Sequence, residues 1–215
     1  MEENGRTGRI VYVVDDDAAV RRGIERLLRA SGYVCRVFEN AKEYLAAQLE
    51  PVGASCMVLD IRMPEISGTE LQELLRGTAH EVPIIFVTGH GDIPTCVKAL
   101  KAGAVSFLTK PFDESSLLAA VSEALSVSEA TSERIARRAE VKQRYASMST
   151  REREVFDGVV RGLLNKQIAG ELGIAEKTVK VHRARVMDKM NAESVACLVR
   201  LSQLLADTPS ASEGA

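Results

Sequence analysis

The amino-acid sequence predicts two domains: a doubly wound α/β domain with a five-stranded parallel sheet, and an all-helical domain joined to it by a helical linker. Two observations support this prediction. Short apolar runs alternate with helical patterns in residues 1–125, and only helical patterns follow them. The length of 215 residues suits two domains, because single domains cluster at about 100 to 150 residues. The expected ranges are 1–125, 126–147 for the linker and 148–207, with a disordered polar tail at 208–215.

The predicted strands are five apolar runs bounded by turn residues. They occupy residues 10–14, 34–38, 56–59, 84–88 and 105–109. Leucine, isoleucine and valine recur at helical spacing between these runs. Strands that are apolar throughout and alternate with helices are typical of a parallel sheet covered on both faces.

The remainder of the chain has a different composition. Residues 126–146 are rich in Ser, Glu, Arg and Ala and contain neither proline nor glycine, which favours a solvated helical connector. Beyond them, Ser149 and Glu152 have the spacing of a capping box, and Gly162 and Gly173 separate further helical patterns. An all-helical second domain follows.

Charge and hydropathy narrow the classes of function. Residues 1–125 carry 13 basic and 18 acidic side chains, whereas residues 126–215 carry 15 and 12, so an acidic half precedes a basic one. No apolar run approaches the roughly 20 residues that span a bilayer, so we expect a cytoplasmic protein without membrane association. The four cysteines are widely scattered, without the spacing of a zinc site.

Polar side chains stand where the predicted strands end. Asp15 and Asp16 follow the first strand, Asp60 follows the third, and Thr88 and Lys110 end the fourth and fifth. In a doubly wound sheet these strand ends meet at one rim, where ligands bind. Three converging carboxylates repel one another unless a cation compensates, and hard divalent cations prefer oxygen ligands. The sequence therefore predicts a magnesium site.

Each of these residues also has an ordinary structural interpretation. The acidic turn at 15–17 could cap the next helix, which is the role we assign to Asp17. Asp60 could simply begin a turn, Thr88 could be an ordinary strand residue, and Lys110 could be a solvated charge. The prediction of one site depends on the fold bringing all of them to a single rim.

Four motifs carry a family resemblance. They lie at residues 13–17 (Val-Val-Asp-Asp-Asp), 59–64 (Leu-Asp-Ile-Arg-Met-Pro), 87–91 (Val-Thr-Gly-His-Gly) and 108–112 (Leu-Thr-Lys-Pro-Phe). With them, the chain from residue 10 to about 125 resembles the flavodoxin-like receiver domains of two-component response regulators. The resemblance implies that a sensor histidine kinase phosphorylates the chain. It also implies that Asp60 accepts the phosphoryl group and that Thr88 and Lys110 contact the phosphate oxygens. The implied Mg²⁺ ligands are Asp15, Asp16, Asp60 and the carbonyl of Arg62.

Two further features follow from the same resemblance. Phe107 matches the aromatic residue of the family's switch, which turns inward as Thr88 moves toward the phosphate; the alternative is an ordinary core phenylalanine. The peptide bond between Lys110 and Pro111 is expected to be cis.

A helix expected at 176–190 has two distinct faces. Val179, His182, Val186 and Met190 share one side at a period of 3.6 residues, and a largely basic outer face remains. A basic helix behind the turn at Gly173 is typical of a recognition helix in the DNA major groove. The alternative is a helix that is merely solvated.

Residues 149 to about 205 resemble the four-helix LuxR/NarL-type DNA-binding domain through four stretches, 150–155, 162–169, 178–183 and 189–190. Together with the receiver they resemble FixJ-type regulators. The resemblance implies double-stranded operator DNA, RNA polymerase as a further candidate partner, and a homodimer formed through the last helix. The implied contacts are to bases by Lys180, Val181 and Ala184, and to phosphates by Asn165, Lys166, Lys177, Thr178 and Arg185. Some related proteins have lysine in place of Ala184, so their operator preference does not transfer.

The expected function is a response regulator that is not a dedicated enzyme, although it could remove its own phosphoryl group. Phosphorylation of Asp60 with Mg²⁺ should promote dimerisation and sequence-specific DNA binding that controls transcription. A phosphatase of the haloacid dehalogenase type needs an acid where Arg62 stands. A nicotinamide enzyme needs a glycine-rich loop where the three aspartates stand. A receiver that is never phosphorylated would not need the complete set of Asp60, Thr88 and Lys110.

Overall fold

A computed structural model describes residues 8–49, 53–78, 80–89 and 93–206. The tail predicted at 208–215 lies outside the described residues, as do His90 and Gly91 of the third receiver motif. The chain divides into two compact units, residues 1–132 and 133–215. The finer boundaries of the linker and of the two domains remain predictions.

The first unit is built on five parallel strands. They are β1 (Ile10–Val14), β2 (Val34–Phe38), β3 (Ser55–Asp60), β4 (Ile84–Thr88) and β5 (Ser106–Thr109), in the order β2-β1-β3-β4-β5. Strand β2 pairs with one side of β1, and β3 pairs with the other side of β1. The strand order therefore reverses between β1 and β3. The predicted five-stranded, doubly wound parallel sheet is confirmed.

Helices cover both faces of this sheet. They are α1 (Ala18–Ala30), α2 (Ala41–Ala46), α3 (Gly68–Leu75), α4 (Ile93–Lys101) and α5 (Glu114–Ala146). Ile24 and Leu28 of α1 pack with Leu117 of α5 on one face. Tyr44 of α2 and Leu71 of α3 pack on the other. Because both faces are covered, β1, β3 and β4 are buried along their whole length.

Side-chain caps begin several of these helices, including the cap that the sequence predicts at Asp17. Asp17 accepts hydrogen bonds from the backbone nitrogens at the start of α1. Ser67 and Glu70 form a reciprocal capping box at α3. Asp113 accepts from the nitrogen of Ser116 at 2.8 Å as α5 begins. Each cap satisfies donors that the first helical turn leaves without an intrahelical partner.

The second unit contains four helices after α5 in the part of the chain that the structure describes. They are α6 (Thr150–Val160), α7 (Asn165–Leu172), α8 (Glu176–Met190) and α9 (Val195–Ala206). The core holds side chains that are at most 1% exposed, including Val155, Ile168, Val179, Val186 and Leu198. Val141 and Met148, near the end of α5, pack in the same core. The predicted all-helical second domain is confirmed.

Glycine allows two of these helices to approach closely. A Cβ atom on Gly158 of α6 would lie 2.8 Å from Cγ1 of Ile168 on α7. Gly173 ends α7 with φ of 65°, a left-handed conformation that glycine adopts without steric cost. The turn into α8 therefore follows directly from α7.

Among the described residues, no helix is both long enough and apolar enough to cross a membrane.

Candidate functional sites

The acidic residues meet at the rim where strand order reverses. Asp15 and Asp16 follow β1, Asp60 ends the neighbouring strand β3, and one carboxylate oxygen from each lies within 4.8 Å of the others. Asp15 and Asp60 are buried, whereas Asp16 is exposed. In the described part of the chain, no other set of acid, histidine or cysteine side chains meets this condition. The sheet order therefore brings together the three carboxylates selected from the sequence.

Lys110 reaches the same rim from the end of β5. Its Nζ atom donates to Oδ2 of Asp15 at 2.6 Å and to Oδ2 of Asp60 at 3.1 Å. Its backbone nitrogen donates to the carbonyl of Thr88 at 2.8 Å. The peptide bond between Lys110 and Pro111 is cis, as predicted. The interpretation of Lys110 as a solvated charge is wrong, because its ammonium group joins two buried carboxylates.

The ionisation of these groups depends on burial and on their contacts. Burial raises the pKa of Asp15, and the hydrogen bond from Lys110 opposes part of that rise. Burial alone would lower the pKa of Lys110, but hydrogen bonds to Asp15 and Asp60 outweigh it and raise the pKa above its ordinary value. Lys110 is therefore a firmly held positive charge.

Backbone groups hold the two buried carboxylates in place. The nitrogen of Asp17 donates to Oδ1 of Asp15 at 2.9 Å, and the nitrogen of Arg62 donates to Oδ1 of Asp60 at 3.3 Å. The side chain of Arg62 is exposed. Arg62 thus contacts Asp60 through its main chain, and the role of its carbonyl as a Mg²⁺ ligand remains a prediction.

The donor set fits a hard divalent cation. Lys110 supplies one positive charge against the three carboxylates, so the cluster retains a negative excess. Carboxylate oxygens are the ligands that Mg²⁺ prefers, and magnesium sites in proteins often use few side chains together with water. Asp15, Asp16 and Asp60 would therefore form the protein's share of such a site.

The two predicted switch residues lie on neighbouring strands. Thr88 ends β4 and is 1% exposed, and Phe107 pairs with Phe86 in the ladder between β4 and β5. Phe107 is half-buried against the core formed by α2, α3 and the sheet. A half-buried aromatic ring on an edge strand fits both the switch and the simpler role in the core, so its assignment remains a prediction.

Two residues that contact the backbone of the buried aspartates were missed from the sequence: Gly68 beside Asp60 and Arg21 beside Asp15. A Cβ atom on Gly68 would lie 2.2 Å from the carbonyl oxygen of Asp60, and the nitrogen of Gly68 donates to Ile61 at 2.9 Å. Arg21 of α1 donates from Nη1 to the carbonyl of Asp15 at 2.6 Å. Gly68 follows the capping serine directly, which was a visible signal for a tight junction. Its close approach to Asp60 is a tertiary contact that local pattern does not reveal.

The second candidate site is the outer face of α8. Val179, Val186 and Met190 are fully buried. On the other side of the helix, the residues of α8 that are predicted to contact DNA are exposed: Lys177, Thr178, Lys180, Val181, Ala184 and Arg185. The structure therefore separates the two faces of α8 as the sequence predicts.

Hydrogen bonds on α8 divide its basic residues by role. Arg183 donates to Oδ1 of Asn165 at 3.0 Å and so ties α8 to the start of α7. Lys189 donates to Glu152 at 2.7 Å and to the carbonyl of Ser147 at 2.9 Å. Lys180 is exposed and lies 3.5 Å from Glu176. Arg183 and Lys189 thus hold the domain together, and Lys180 remains accessible. Lys166, at the start of α7, is also exposed.

Comparison with known proteins identifies the family of each domain. Residues 11–122 match the response regulator receiver domain, and residues 146–202 match the bacterial regulatory proteins of the luxR family. The chain therefore belongs to the two-component response regulators that join a receiver domain to a LuxR-type DNA-binding domain. This confirms the resemblance found in the sequence.

Similar proteins cover nearly the whole chain. The response regulator TodT of Pseudomonas putida is 44% identical over 199 residues, which are 93% of this chain and 87% of TodT. Nodulation protein W of Bradyrhizobium diazoefficiens is 46% identical over 200 residues, with the same two shares. The solved structure of the response regulator StyR is 46% identical, with a TM-score of 0.79 over 91% of this chain and 98% of StyR.

Proposed function

We propose that a sensor histidine kinase phosphorylates Asp60 with the help of Mg²⁺, and that phosphorylation promotes dimerisation and binding to specific DNA sequences to control transcription. The observation that supports this most directly is the arrangement around Asp60. It is a buried carboxylate within 4.8 Å of two others, and its Oδ2 accepts a hydrogen bond from Lys110. Like its family, the chain is a transcriptional regulator rather than a dedicated enzyme.

The magnesium ion would be held by Asp15, Asp16, Asp60 and the carbonyl of Arg62. When bound, Mg²⁺ supplies positive charge that offsets the carboxylates and the incoming phosphoryl oxygens. Asp15 and Asp60 are already oriented by backbone hydrogen bonds from Asp17 and Arg62. The exposed Asp16 would supply the third carboxylate.

Phosphoryl transfer then depends on position and charge. A carboxylate oxygen of Asp60 attacks the phosphorus of a phosphohistidine, so an O–P bond forms as the N–P bond breaks and the imidazole leaves. Lys110 and Thr88 contact the phosphoryl oxygens. Phe107 turns inward as Thr88 moves toward the phosphate, which transmits the change to the edge of the sheet at β5.

The output domain binds double-stranded operator DNA as a homodimer. Lys180, Val181 and Ala184 face the base edges in the major groove. The phosphate contacts are made by Asn165, Lys166, Lys177, Thr178 and Arg185. Since DNA is the target, we place the protein in the cytoplasm, with RNA polymerase as a further candidate partner at the promoter.

The proposed chemistry is tested by labelling. Incubation with acetyl phosphate and Mg²⁺ should label the full chain at Asp60, and Asp60→Asn should abolish the label while the far-ultraviolet circular dichroism stays unchanged. Asp17→Asn is the matched control, because Asp17 lies at the same rim but caps α1. Label that persisted in Asp60→Asn would show that another group accepts the phosphoryl group.

The DNA-binding assignment is tested by comparing two exposed lysines. Lys180→Ala should weaken binding to the operator by about 1 to 3 kcal/mol and have much less effect on random DNA, because a base contact contributes discrimination. Lys166→Ala should weaken both about equally and reduce the salt dependence, because one phosphate contact is lost. Equal losses on both DNAs for Lys180→Ala would show that α8 does not read sequence.

A further inference from the structure

The centre of the outward face of α8 is apolar. At 3.6 residues per turn, the positions directly opposite the buried Val179 and Val186 are occupied by Lys177, Val181, Ala184 and Asp188. All four of these residues are exposed, and the side chain of Val181 is 47% exposed. Lys180 lies to one side of this line rather than on it. The part of the helix that projects furthest from its own domain therefore carries a valine and an alanine between two charged residues.

The fold of the second domain does not account for these two side chains. The residues of α8 that are fully buried in its core, Val179, Val186 and Met190, lie on the opposite face. Neither valine nor alanine has a side-chain donor or acceptor. In a major groove they could therefore recognise only an apolar feature, and the C5-methyl group of thymine is the apolar feature on the major-groove edges of the four base pairs.

We infer that Val181 and Ala184 read thymine methyl groups, which sets the class of operator that this regulator binds. The inference rests on the proposed function, in which α8 enters the major groove. The two residues are three positions apart, a rise of about 4.5 Å along the helix. Base pairs are spaced about 3.4 Å apart. The two thymines therefore lie on adjacent base pairs or are separated by one.

The neighbouring charges define the rest of the contact. Lys180, on the flank, has the chemistry to bind O6 and N7 of a guanine beside these thymines. Asp188 lies one turn beyond Ala184 on the same line, about 6 Å along the axis, and its carboxylate is repelled by DNA phosphates. Base reading therefore ends at Ala184, and each half-site combines a guanine with a short thymine-containing step.

The test begins with selection of binding sites. The full chain, treated with acetyl phosphate and Mg²⁺, is used to select duplexes from a random library, and each enriched thymine is then replaced by deoxyuridine. This change removes only the methyl group and keeps the base pair. At the positions that face Val181 and Ala184, we expect binding to weaken about fourfold for each methyl group, which corresponds to about 0.8 kcal/mol.

Protein variants show which side chain reads the methyl group. Val181→Ala should weaken binding to the thymine duplex and abolish most of the difference between thymine and deoxyuridine at one position. Val127→Ala removes the same atoms from a valine on α5 that is 43% exposed, and it should change neither affinity. Ala184→Lys should shift the preference at its own base pair from thymine to guanine.

The outcomes separate this inference from the proposed function. If no sequence were enriched, the proposal of specific DNA binding would fail, and the methyl contacts with it. If a sequence were enriched but deoxyuridine bound as tightly as thymine, the methyl contacts alone would be wrong. If replacing thymine by deoxyuridine weakened binding equally in the parent protein and in Val181→Ala, the loss of affinity would be assigned to the shape of the DNA rather than to a contact with Val181.

Discussion

The three carboxylates of the acidic rim differ in their surroundings. Asp15 is completely buried and Asp60 is 6% exposed. Both accept hydrogen bonds from the backbone and from Lys110. Asp16 is exposed. Replacing Asp15 or Asp60 would leave Lys110 with fewer partners inside the domain, whereas replacing Asp16 removes a candidate metal ligand without opening the core.

Asp16 therefore offers the clearest test of the metal site. Asp16→Ala should weaken Mg²⁺ binding about tenfold or more, because a hard cation loses a charged oxygen ligand, while the melting temperature without metal should stay the same. Isothermal titration calorimetry measures the affinity. Asp17→Ala is the control: it removes the cap of α1 and should lower the melting temperature with little effect on Mg²⁺. Equal affinities in Asp16→Ala and the parent would exclude Asp16 from the site.

At the scale of elements, the junction between β3 and α3 is packed against the phosphoacceptor candidate. The nitrogen of Gly68 bonds to Ile61, and a side chain at position 68 would overlap the backbone of Asp60. The atom that would be met is a carbonyl oxygen, which cannot move by rotating a side chain. The position of α3 and that of the Asp60 backbone are thus coupled.

A substitution at this junction should affect stability and chemistry together. Gly68→Ala should destabilise the first domain by about 1 to 3 kcal/mol and slow phosphorylation by acetyl phosphate, because the strand end must shift. Gly23→Ala is the matched control, since α1 leaves open space around Gly23. It should stabilise the same domain by about 0.5 to 1 kcal/mol without altering the rate. If a destabilised Gly68→Ala variant were labelled at the normal rate, the junction between β3 and α3 would not influence phosphorylation.

The two capping boxes also differ through their tertiary contacts. Glu70 caps α3 at an exposed position, whereas Glu152 caps α6, is 4% exposed and also bonds Lys189 of α8 at 2.7 Å. The hydrogen bond from Lys189, followed by that from the backbone of Ser149, lowers the pKa of Glu152 to about 2. The same sequence motif is thus a local cap in one domain and a link between two helices in the other.

This difference predicts a dependence on pH. The pKa of Glu152 in the folded protein is below its ordinary value of 4.5. Its contribution to the stability of the second domain is therefore complete above pH 4.5 and is lost as the pH falls toward 2. Glu152→Gln should destabilise the second domain by about 1 to 3 kcal/mol at pH 7, and the difference should shrink in acid. Thermal unfolding followed by circular dichroism measures this. Glu70→Gln, the control, should destabilise its own domain less. If the loss of stability in Glu152→Gln did not change with pH, the ion pair between Glu152 and Lys189 would not be its cause.

At the scale of the whole molecule, the last turns of α5 belong to the second unit. Val141 is 1% exposed and Met148 is 3% exposed in that core, and Tyr145 packs edge-on against Phe156 with ring centroids 5.2 Å apart. Arg144 donates to the carbonyl of Met190 at 3.0 Å. These contacts place the end of the predicted linker within the structure of the DNA-binding unit.

Fragments test how far that unit extends. A fragment of residues 133–206 should fold cooperatively, whereas a fragment of residues 148–206 should be less stable by several kcal/mol, because it loses the buried Val141 and the packing of Tyr145. Thermal unfolding of the two fragments measures the difference. Val141→Ala in the longer fragment should reproduce part of it, and Ile135→Ala, at a 61% exposed position, should not. Equal stability of both fragments would place the boundary at residue 148.

The sequence predicted the elements of this protein well because their signals are local. Apolar runs located the strands to within one residue, and Asp17 and Ser149 were correctly assigned as caps. The carboxylate rim was also predictable, since residues at the carboxyl ends of parallel strands must share an edge. The support that Gly68 and Arg21 provide was not predictable, because each contacts backbone supplied by another segment.

By itself, the sequence determined which polar side chains meet at the rim of the sheet and which face of α8 is turned outward, because strand ends and helical periodicity follow from neighbouring residues. Only the tertiary structure decided how those side chains pair. Lys110 bonds Asp15 across 95 positions of sequence, and Lys189 bonds Glu152 across 37. Such contacts depend on strand order and helix packing, which local patterns do not encode. Their physical effects, a firmly held charge at Lys110 and a lowered pKa at Glu152, arise only when the chain is folded.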